Sequence, residues 1–274
     1  LVNKLKSNGL NVEDEIYEDN EPITMVDFRR DLNYHGCKKH DYIIWGESDS
    51  LLPKELFHSL ESIKNYADQN GIHRYVTTFA IRKMWDDSWK PLEHVDFTDK
   101  PLLPRKLADG SLNEEALRTP HSIHYSMNNE EMNEINSKVN EYDIRMLNYP
   151  QFDGSGLVLS SDLIKNGVNV PHCIMGHLVD DTSMMESCKQ IMGENYVQFI
   201  VKNILKVHNR MHPKKRLYAL DMDSDRSLSE VNKTKKGDWF YKMKDLVHYN
   251  LANFGKHQTK FATYEDFRKI MEDL

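Results

Sequence analysis

The chain has 274 residues, of which 39% are hydrophobic and 10% aromatic. This composition supplies enough apolar side chains for a packed core and excludes wholesale disorder. No apolar run approaches the ~20 residues that a membrane-spanning helix needs, because Lys202 and Asn203 interrupt the longest candidate, residues 199–205. The net charge of −7 argues against a general polyanion-binding surface, since such binding requires an excess of basic residues.

The cysteine content favours a reducing compartment. Cys37, Cys173 and Cys188 lie far apart in the chain, without a Cys-x-x-Cys pair. An odd and sparse set of this kind predicts a cytoplasmic protein whose thiols behave as small apolar groups. The first residue is Leu1, and residues 1–10 have the pattern of a helix interior, so we expect further residues upstream.

Apolar spacing along the chain alternates between strand-like runs and helical periodicity, which is typical of an α/β protein. Strands are predicted at residues 41–45, 73–80, 157–160 and 196–201. Helices are predicted from Pro53 to Gly71 and at residues 128–140, 182–192, 239–254 and 263–274. Residues 86–112 show no clear period, which predicts a long loop, and loops of that length are often functional.

The strongest local signal is the acidic segment Glu47-Ser48-Asp49, which follows the first apolar strand. Carboxylates at the carboxyl end of a strand project into the crevice where α/β sheets bind ligands. Their hard oxygens suit Mg²⁺ or Mn²⁺ bridging to a diphosphate. An ordinary acidic turn, in which Asp49 or Ser50 caps the next helix, explains the same residues equally simply.

Basic and glycine-rich clusters lie on either side of that segment. Arg29 and Arg30, with Asn33, precede the strand, and the forked donors of arginine suit phosphate or carboxylate oxygens. A solvated helix face is the alternative. In Gly154-Ser155-Gly156 the glycines permit close approach of the backbone to a ligand, although a tight hairpin turn has the same composition.

Two further groups carry possible chemistry. Asp180 and Asp181 stand at the start of a predicted helix, where a carboxylate is stabilised by the helix dipole or acts as a general base. His208 follows the next strand, and a neutral imidazole there would complete a metal shell begun by Asp49. The alternative for His208 is an ordinary core or surface histidine.

These elements, in this order, resemble the nucleotide-diphosphate-sugar glycosyltransferases of the GT-A fold, especially the family-2-like group. Members typically show an Arg-Asn element, an apolar strand that ends in Asp-x-Asp before a Leu-x-Pro helix start, a glycine turn, a Glu-Asp pair and then a His. The corresponding positions, within residues 13–212, are Arg30 with Asn33, Glu47-Ser48-Asp49 with Leu52-Pro53, Gly154–Gly156, Asp180-Asp181 and His208.

The resemblance implies a GT-A fold (Rossmann-like, with a mixed central sheet flanked by helices) at residues 1–212, its first strand lying upstream of Leu1. A helical extension at residues 213–274 would pack on this domain. It also implies an inverting, Mn²⁺- or Mg²⁺-dependent sugar transfer from a nucleotide-diphosphate donor, with UDP as the expected nucleotide, to a carbohydrate or another hydroxyl acceptor. No membrane span is expected.

The implied roles follow the matched positions. Asp181 corresponds to the base, with Asp180 as the alternative, and Asp49 and His208 correspond to metal ligands. Residues 15–19 resemble the second strand of the family. The implied donor-binding set is Asp19, Arg29, Arg30, Asn33, Glu47, Ser48, Gly154, Ser155 and Gly156. The segment 86–112, with Trp85 and Trp89, is expected to shape the acceptor side, because aromatic faces pack on sugar rings.

The chain departs from the family pattern at Glu47, where Asp is usual, and at Asp180, where Glu is usual. Two alternatives stand beside the transferase. One is a catalytically silent module that keeps the GT-A shape for binding. The other is a transferase that acts on DNA bases, which the negative net charge opposes and a set of basic residues favours: Lys202, Lys206, Arg210, Lys214, Lys215 and Arg216.

Overall fold

The computed structural model describes the backbone of residues 2–7, 9, 12, 25–47, 50–80, 83–85, 91–93, 107–111, 113–115, 128–147, 154–175, 179–208 and 235–272. Several predicted features lie outside these ranges: the strand at residues 15–19 with Asp19, the metal-side residues Ser48 and Asp49, and Trp89. Of Trp85 and His208 only the backbone is described.

A five-stranded mixed sheet forms the centre of the molecule, and two short strand pairs accompany it. The strands are β1 (Tyr42–Trp45), β2 (Ser50–Leu51), β3 (Tyr75–Ala80), β4 (Lys83–Trp85), β5 (Pro91–Glu93), β6 (Ile144–Met146), β7 (Leu157–Ser160), β8 (Val197–Leu205) and β9 (Val207–His208). The central order is β1-β7-β3-β8-β6, while β2 pairs with β9 and β4 with β5. An α/β architecture is therefore confirmed, and it is compatible with a Rossmann-like fold.

The strand directions bring several chain ends to one end of the sheet. Within the central sheet β3 and β8 pair in parallel, whereas the other neighbours are antiparallel. Strands β1, β3 and β8 consequently run in one direction, and β7 runs in the other. We call the end where β1, β3 and β8 finish and β7 begins the site end. Polar residues that follow those three strands, or precede β7, meet there.

Helices cover both faces of the sheet. They are α1 (Val2–Ser7), α2 (Met25–Gly36), α3 (Leu56–Gln69), α4 (Asn129–Asn136), α5 (Ser161–Lys165), α6 (Asp180–Met192), α7 (Lys235–Gly255) and α8 (Tyr264–Glu272). Side chains of β7 alternate between two apolar clusters, as the two-residue period of a strand requires. Leu159 packs with α5, α6, α7 and α8, while Val158 packs with α3.

The predicted elements agree with the structure in kind and differ at their bounds. Strand β7 spans the predicted residues, and the apolar stripe of α3 is buried as expected. That helix begins at Leu56 because a turn closed by the Leu56 N–H and the Pro53 carbonyl precedes it. Helix α6 begins two residues earlier than predicted, at Asp180. The predicted loop at 86–112 is wrong at Pro91–Glu93, which forms a strand.

Helices α7 and α8 correspond to the two helices predicted in the tail. Met243, Val247 and Phe267 lie in the same apolar cluster as Met184 of α6, so both helices contribute to the core beside the sheet. No helix among the described residues combines the length and the apolar character needed to cross a membrane.

Arg30 and Asn33, on the inner side of α2, bind other parts of the protein. The Arg30 guanidinium donates to the carbonyls of Val170 (3.1 Å), Pro171 (3.0 Å) and Ile174 (2.7 Å). Asn33 is fully buried; it accepts from Trp45 Nε1 at 2.8 Å and donates to the Asn169 side chain at 2.9 Å. The structure thus gives these two residues partners within the protein, and their predicted contact with a donor stays a prediction.

Replacing Asn33 by Ala tests this structural role. The change leaves the buried Trp45 N–H without its acceptor, so we expect a loss of about 2 kcal/mol in the free energy of unfolding. Urea titration measures it. The matched control is Asn166→Ala, which removes an exposed side-chain bond to the Asp162 carbonyl and should cost less than about 0.5 kcal/mol. If Asn33→Ala leaves the stability unchanged and weakens nucleotide binding, the structural role of Asn33 is contradicted and its predicted role at the donor is supported.

Candidate functional site

Charged and glycine residues from five parts of the chain meet at the site end. They are Arg29 of α2, Glu47 after β1, the turn Gly154–Gly156 before β7, Asp180 and Asp181 at the start of α6, and Lys206 between β8 and β9. All of them except Lys206 were predicted as site residues from the sequence. Their contacts decide which of the predicted roles the arrangement permits.

Arg29 joins the two acidic segments. Its Nη2 donates to Glu47 Oε1 at 2.6 Å, and its Nη1 donates to Asp180 Oδ2. The guanidinium carbon lies 4.5 Å from the centre of the Trp45 ring, in cation–π geometry. Because only 5% of Arg29 is exposed, water screens these ion pairs weakly. The guanidinium therefore lies between the carboxylates of Glu47 and Asp180.

The glycine turn lies directly against Arg29. A Cβ added at Gly154 would come within 2.7 Å of Arg29 Nη1, so a side chain there would displace the guanidinium. Gly156 has φ of +69°, and a Cβ there would come within 2.7 Å of Leu52 Cδ2. Its N–H donates to the Trp45 carbonyl at 2.8 Å. Both glycines are thus required by close approach, and the turn is fixed to the end of β1.

Asp180 and Asp181 differ in environment although they are adjacent. Asp180 is buried and paired with Arg29. Asp181 is half-buried, and its carboxylate accepts the N–H of Gly154 at 3.2 Å and the N–H of Thr182 at 2.6 Å. Bonds from backbone N–H groups stabilise an ionised carboxylate and fix its direction. Asp181 is therefore the more accessible of the two aspartates, and two backbone N–H groups fix the direction of its carboxylate.

The entry into α6 is strained. Val179 precedes Asp180 with φ of 56°, a left-handed conformation that a β-branched residue rarely adopts. Such conformations cost of order 1–3 kcal/mol and cluster at functional sites. The Val179 carbonyl accepts the Ser183 N–H at 2.7 Å, which closes the first turn of α6 and fixes the two aspartates at its start.

Burial raises the pKa of Asp180 to about 6, even though the Arg29 charge acts in the opposite direction. The negative charges of Asp181 and Glu47 raise it further. The protonated form of Asp180 is consequently favoured in the folded state up to a higher pH than in the unfolded chain.

Ser155 connects the glycine turn to two other elements. Its hydroxyl and that of Ser50 are hydrogen-bonded to each other, and its carbonyl accepts a bond from Lys206 Nζ. Lys206 is fully buried, so it takes no part in a basic surface. Of the basic residues that favoured DNA binding, Lys202 is half-buried and the remaining four lie outside the described residues.

Of the two predicted metal ligands, the structure describes only the backbone of His208. In the β2–β9 pair Ser50 lies opposite His208, so the His208 backbone is beside the residue that follows Asp49. Within the part of the chain that the structure describes, no group of three or more His, Cys, Asp or Glu side chains has metal-binding geometry. That part excludes Asp49 and the side chain of His208.

Sequence reasoning missed the stacking role of Trp45 and the burial of Lys206. The sequence contains a feature that could have indicated each of them. Trp45 is the last residue of an apolar strand and directly precedes Gly46 and Glu47, which places its ring next to the acidic segment. Lys206 interrupts an apolar run between Leu205 and Val207, both of which are buried.

No family model, no curated protein and no solved structure matches this chain. Support for a function therefore comes from the residues and contacts described above.

The pKa of Asp180 predicts how stability depends on pH. Its folded value of about 6 lies above the ordinary aspartate value of 3.8, so the stabilisation that it contributes is fully present well below pH 4 and is lost as the pH rises through 6. The free energy of unfolding of the wild type, minus that of Asp180→Asn, should fall by about 2 kcal/mol between pH 4 and pH 7. Urea titrations at the two pH values measure this difference.

Asp266→Asn supplies a control of opposite sign. The bonds from Thr263 lower the pKa of Asp266, so the advantage of the wild type over that variant should be present at neutral pH and fade on acidification. A wild-type advantage over Asp180→Asn that grows with pH would show that ion pairing with Arg29 outweighs the burial of Asp180.

Proposed function

We propose that this protein is a metal-dependent inverting glycosyltransferase that moves a sugar from a nucleotide-diphosphate donor to an acceptor hydroxyl. The observation that carries the proposal is the contact set of Arg29, which joins the acidic segment after β1 to the aspartates that open α6. An acidic strand end and a candidate base thus share one end of an α/β sheet, where such sheets bind ligands.

The donor diphosphate would lie beside the acidic segment. Asp49 and His208 would hold Mn²⁺ or Mg²⁺, whose positive charge neutralises the departing diphosphate. Carboxylate oxygens suit both ions, and the β2–β9 register, in which Ser50 lies opposite His208, supports the proposal.

Asp181 would act as the general base. Its carboxylate is half-buried and is oriented by two backbone N–H groups. It would take the proton of the acceptor hydroxyl while the acceptor oxygen bonds to the anomeric carbon. The bond from that carbon to the diphosphate oxygen breaks in the same step, and the nucleotide diphosphate leaves from the opposite face, which inverts the configuration. Asp180 would hold Arg29 in place and take no proton.

The acceptor would approach along the hairpin of β4 and β5. Strand β3 finishes at the site end, and β4 begins three residues after it, at Lys83. The hairpin, which carries Trp85, is thus connected directly to the site end. Aromatic side chains from this region would pack on the acceptor sugar; the acceptor is a carbohydrate or another hydroxyl compound.

A silent binding module is the second candidate. It is favoured by one observation: Arg29 neutralises both Glu47 and Asp180, which takes Glu47 away from a metal. Hydrolysis of a nucleotide sugar separates the two candidates, because a module that only binds leaves the donor intact. For DNA-base transfer, the buried Lys206 contributes no surface charge.

A thermal-shift screen of UDP-, GDP-, TDP- and CDP-sugars, with and without Mn²⁺, tests the proposal. A ligand that binds the folded state raises the melting temperature by mass action, so we expect one donor class to raise it in the presence of Mn²⁺ only. Asp49→Ala should abolish the metal-dependent shift. Asp181→Asn should retain it, since the base is not needed to bind the donor.

Asp143→Asn is the matched control, because Asp143 pairs with Arg145 on the surface and should leave the shift unchanged. A wild type that shows no Mn²⁺-dependent shift with any donor would refute the transferase. A shift without donor hydrolysis would favour the silent module.

A further inference from the structure

Lys206 is a charged side chain that the proposed reaction does not use. It lies between β8 and β9, and none of its surface is exposed. Its neighbours in sequence, Leu205 and Val207, are fully buried too. Burying an ammonium group costs several kcal/mol unless hydrogen bonds and charges compensate. We therefore expect the ammonium group of Lys206 to make an interaction that an apolar side chain could not make.

The contacts of Lys206 lead to the candidate base. Its Nζ donates to the Ser155 carbonyl. Ser155 is flanked by Gly154, whose N–H donates to Asp181 Oδ2 at 3.2 Å. The hydroxyl of Ser155 is bonded to Ser50, which follows Asp49. The glycine turn is therefore bonded to Ser50 of β2 on one side and to Asp181 on the other, and Lys206 is bonded to its central residue.

We propose that Lys206 is a positioning residue, which holds the Gly154–Gly156 turn so that the Gly154 N–H aims the Asp181 carboxylate. This inference rests on the proposed function, because it treats Asp181 as the base. Lys206 acts through the turn and does not touch the substrate. Without its ammonium group the Ser155 carbonyl loses that bond, the turn loosens, and the carboxylate loses one of its two backbone donors.

The ammonium group and the aliphatic stem of Lys206 have separable effects. A Cβ at Gly156 would lie 3.3 Å from Lys206 Cδ, so the stem fills space beneath the turn. Lys206→Met keeps most of that volume and removes the charge and the donor. Lys202→Met is the matched control four residues earlier, in β8, because Lys202 is half-buried and has no part in the turn.

Amide hydrogen exchange measures whether Lys206 holds the turn, without any ligand. The N–H groups of Gly154 and Gly156 are bonded in the wild type, and exchange follows local opening. In Lys206→Met we expect their exchange to be faster by tenfold or more, with Lys202→Met at the wild-type rate. Unchanged exchange in Lys206→Met would overturn the assignment.

The rate of donor hydrolysis measures whether the position of the turn affects the activity of Asp181 as the base. With UDP-glucose or GDP-mannose and Mn²⁺, Lys206→Met should lower the turnover rate tenfold or more and change donor affinity by less than twofold. In the Asp181→Asn background the same substitution should have no further effect on turnover, because the residue that it positions is already inactive. Equal losses in turnover and affinity would indicate general disruption and overturn the positioning role.

Lys206→Gln has a neutral donor on a side chain one atom shorter, so it should weaken the bond to the Ser155 carbonyl and speed the exchange of the two glycine N–H groups less than Lys206→Met does. It replaces Lys206→Met if that variant does not fold, and unchanged exchange would then overturn the assignment. The two proposals fail in different ways. A wild type that neither binds nor hydrolyses any donor refutes the proposed function, and also the proposal that Lys206 positions Asp181 for catalysis. An active wild type whose turnover is insensitive to Lys206 refutes this inference alone.

Discussion

The arrangement of the site end depends on one interaction, the pairing of the buried Arg29 guanidinium with Glu47 and Asp180. It joins α2, the end of β1 and the start of α6, elements from distant parts of the chain. The Trp45 ring and Gly154 fix the guanidinium from two further directions. If one partner were removed, an uncompensated buried charge would remain, and such charges are costly. The acidic segments are therefore tied to each other.

The same constraint separates the roles of the two aspartates. The Asp180 carboxylate pairs with Arg29. Its burial raises its pKa to about 6, although the Arg29 charge acts in the opposite direction. Asp181 is left half-buried and is oriented by backbone N–H groups, as a general base requires. The two aspartates would thus have different roles: Asp180 holds Arg29 in place, and Asp181 would accept the proton of the acceptor hydroxyl.

Much of this was accessible from the sequence. The strands and helices were predictable because their apolar spacing is strong, and Gly154, Gly156, Asp180 and Asp181 were recognisable because turns and helix starts favour those residues. Side-chain partners were not predictable, since ion pairs such as Arg29 with Asp180 depend on strand order. The internal partners of Arg30 and Asn33 were not predictable for the same reason. Short pairs such as β2 with β9 were missed because two residues carry no periodicity.

The central claim is the coupling between Arg29 and Asp180, and a double-mutant cycle on the free energy of unfolding at pH 7.5 measures it directly. At that pH Asp180 is mostly ionised, because its pKa is about 6. Arg29→Met, Asp180→Asn and the double variant are compared with the wild type by urea titration. The account predicts a coupling energy of about 1 kcal/mol or more. Effects that add within about 0.5 kcal/mol would contradict it.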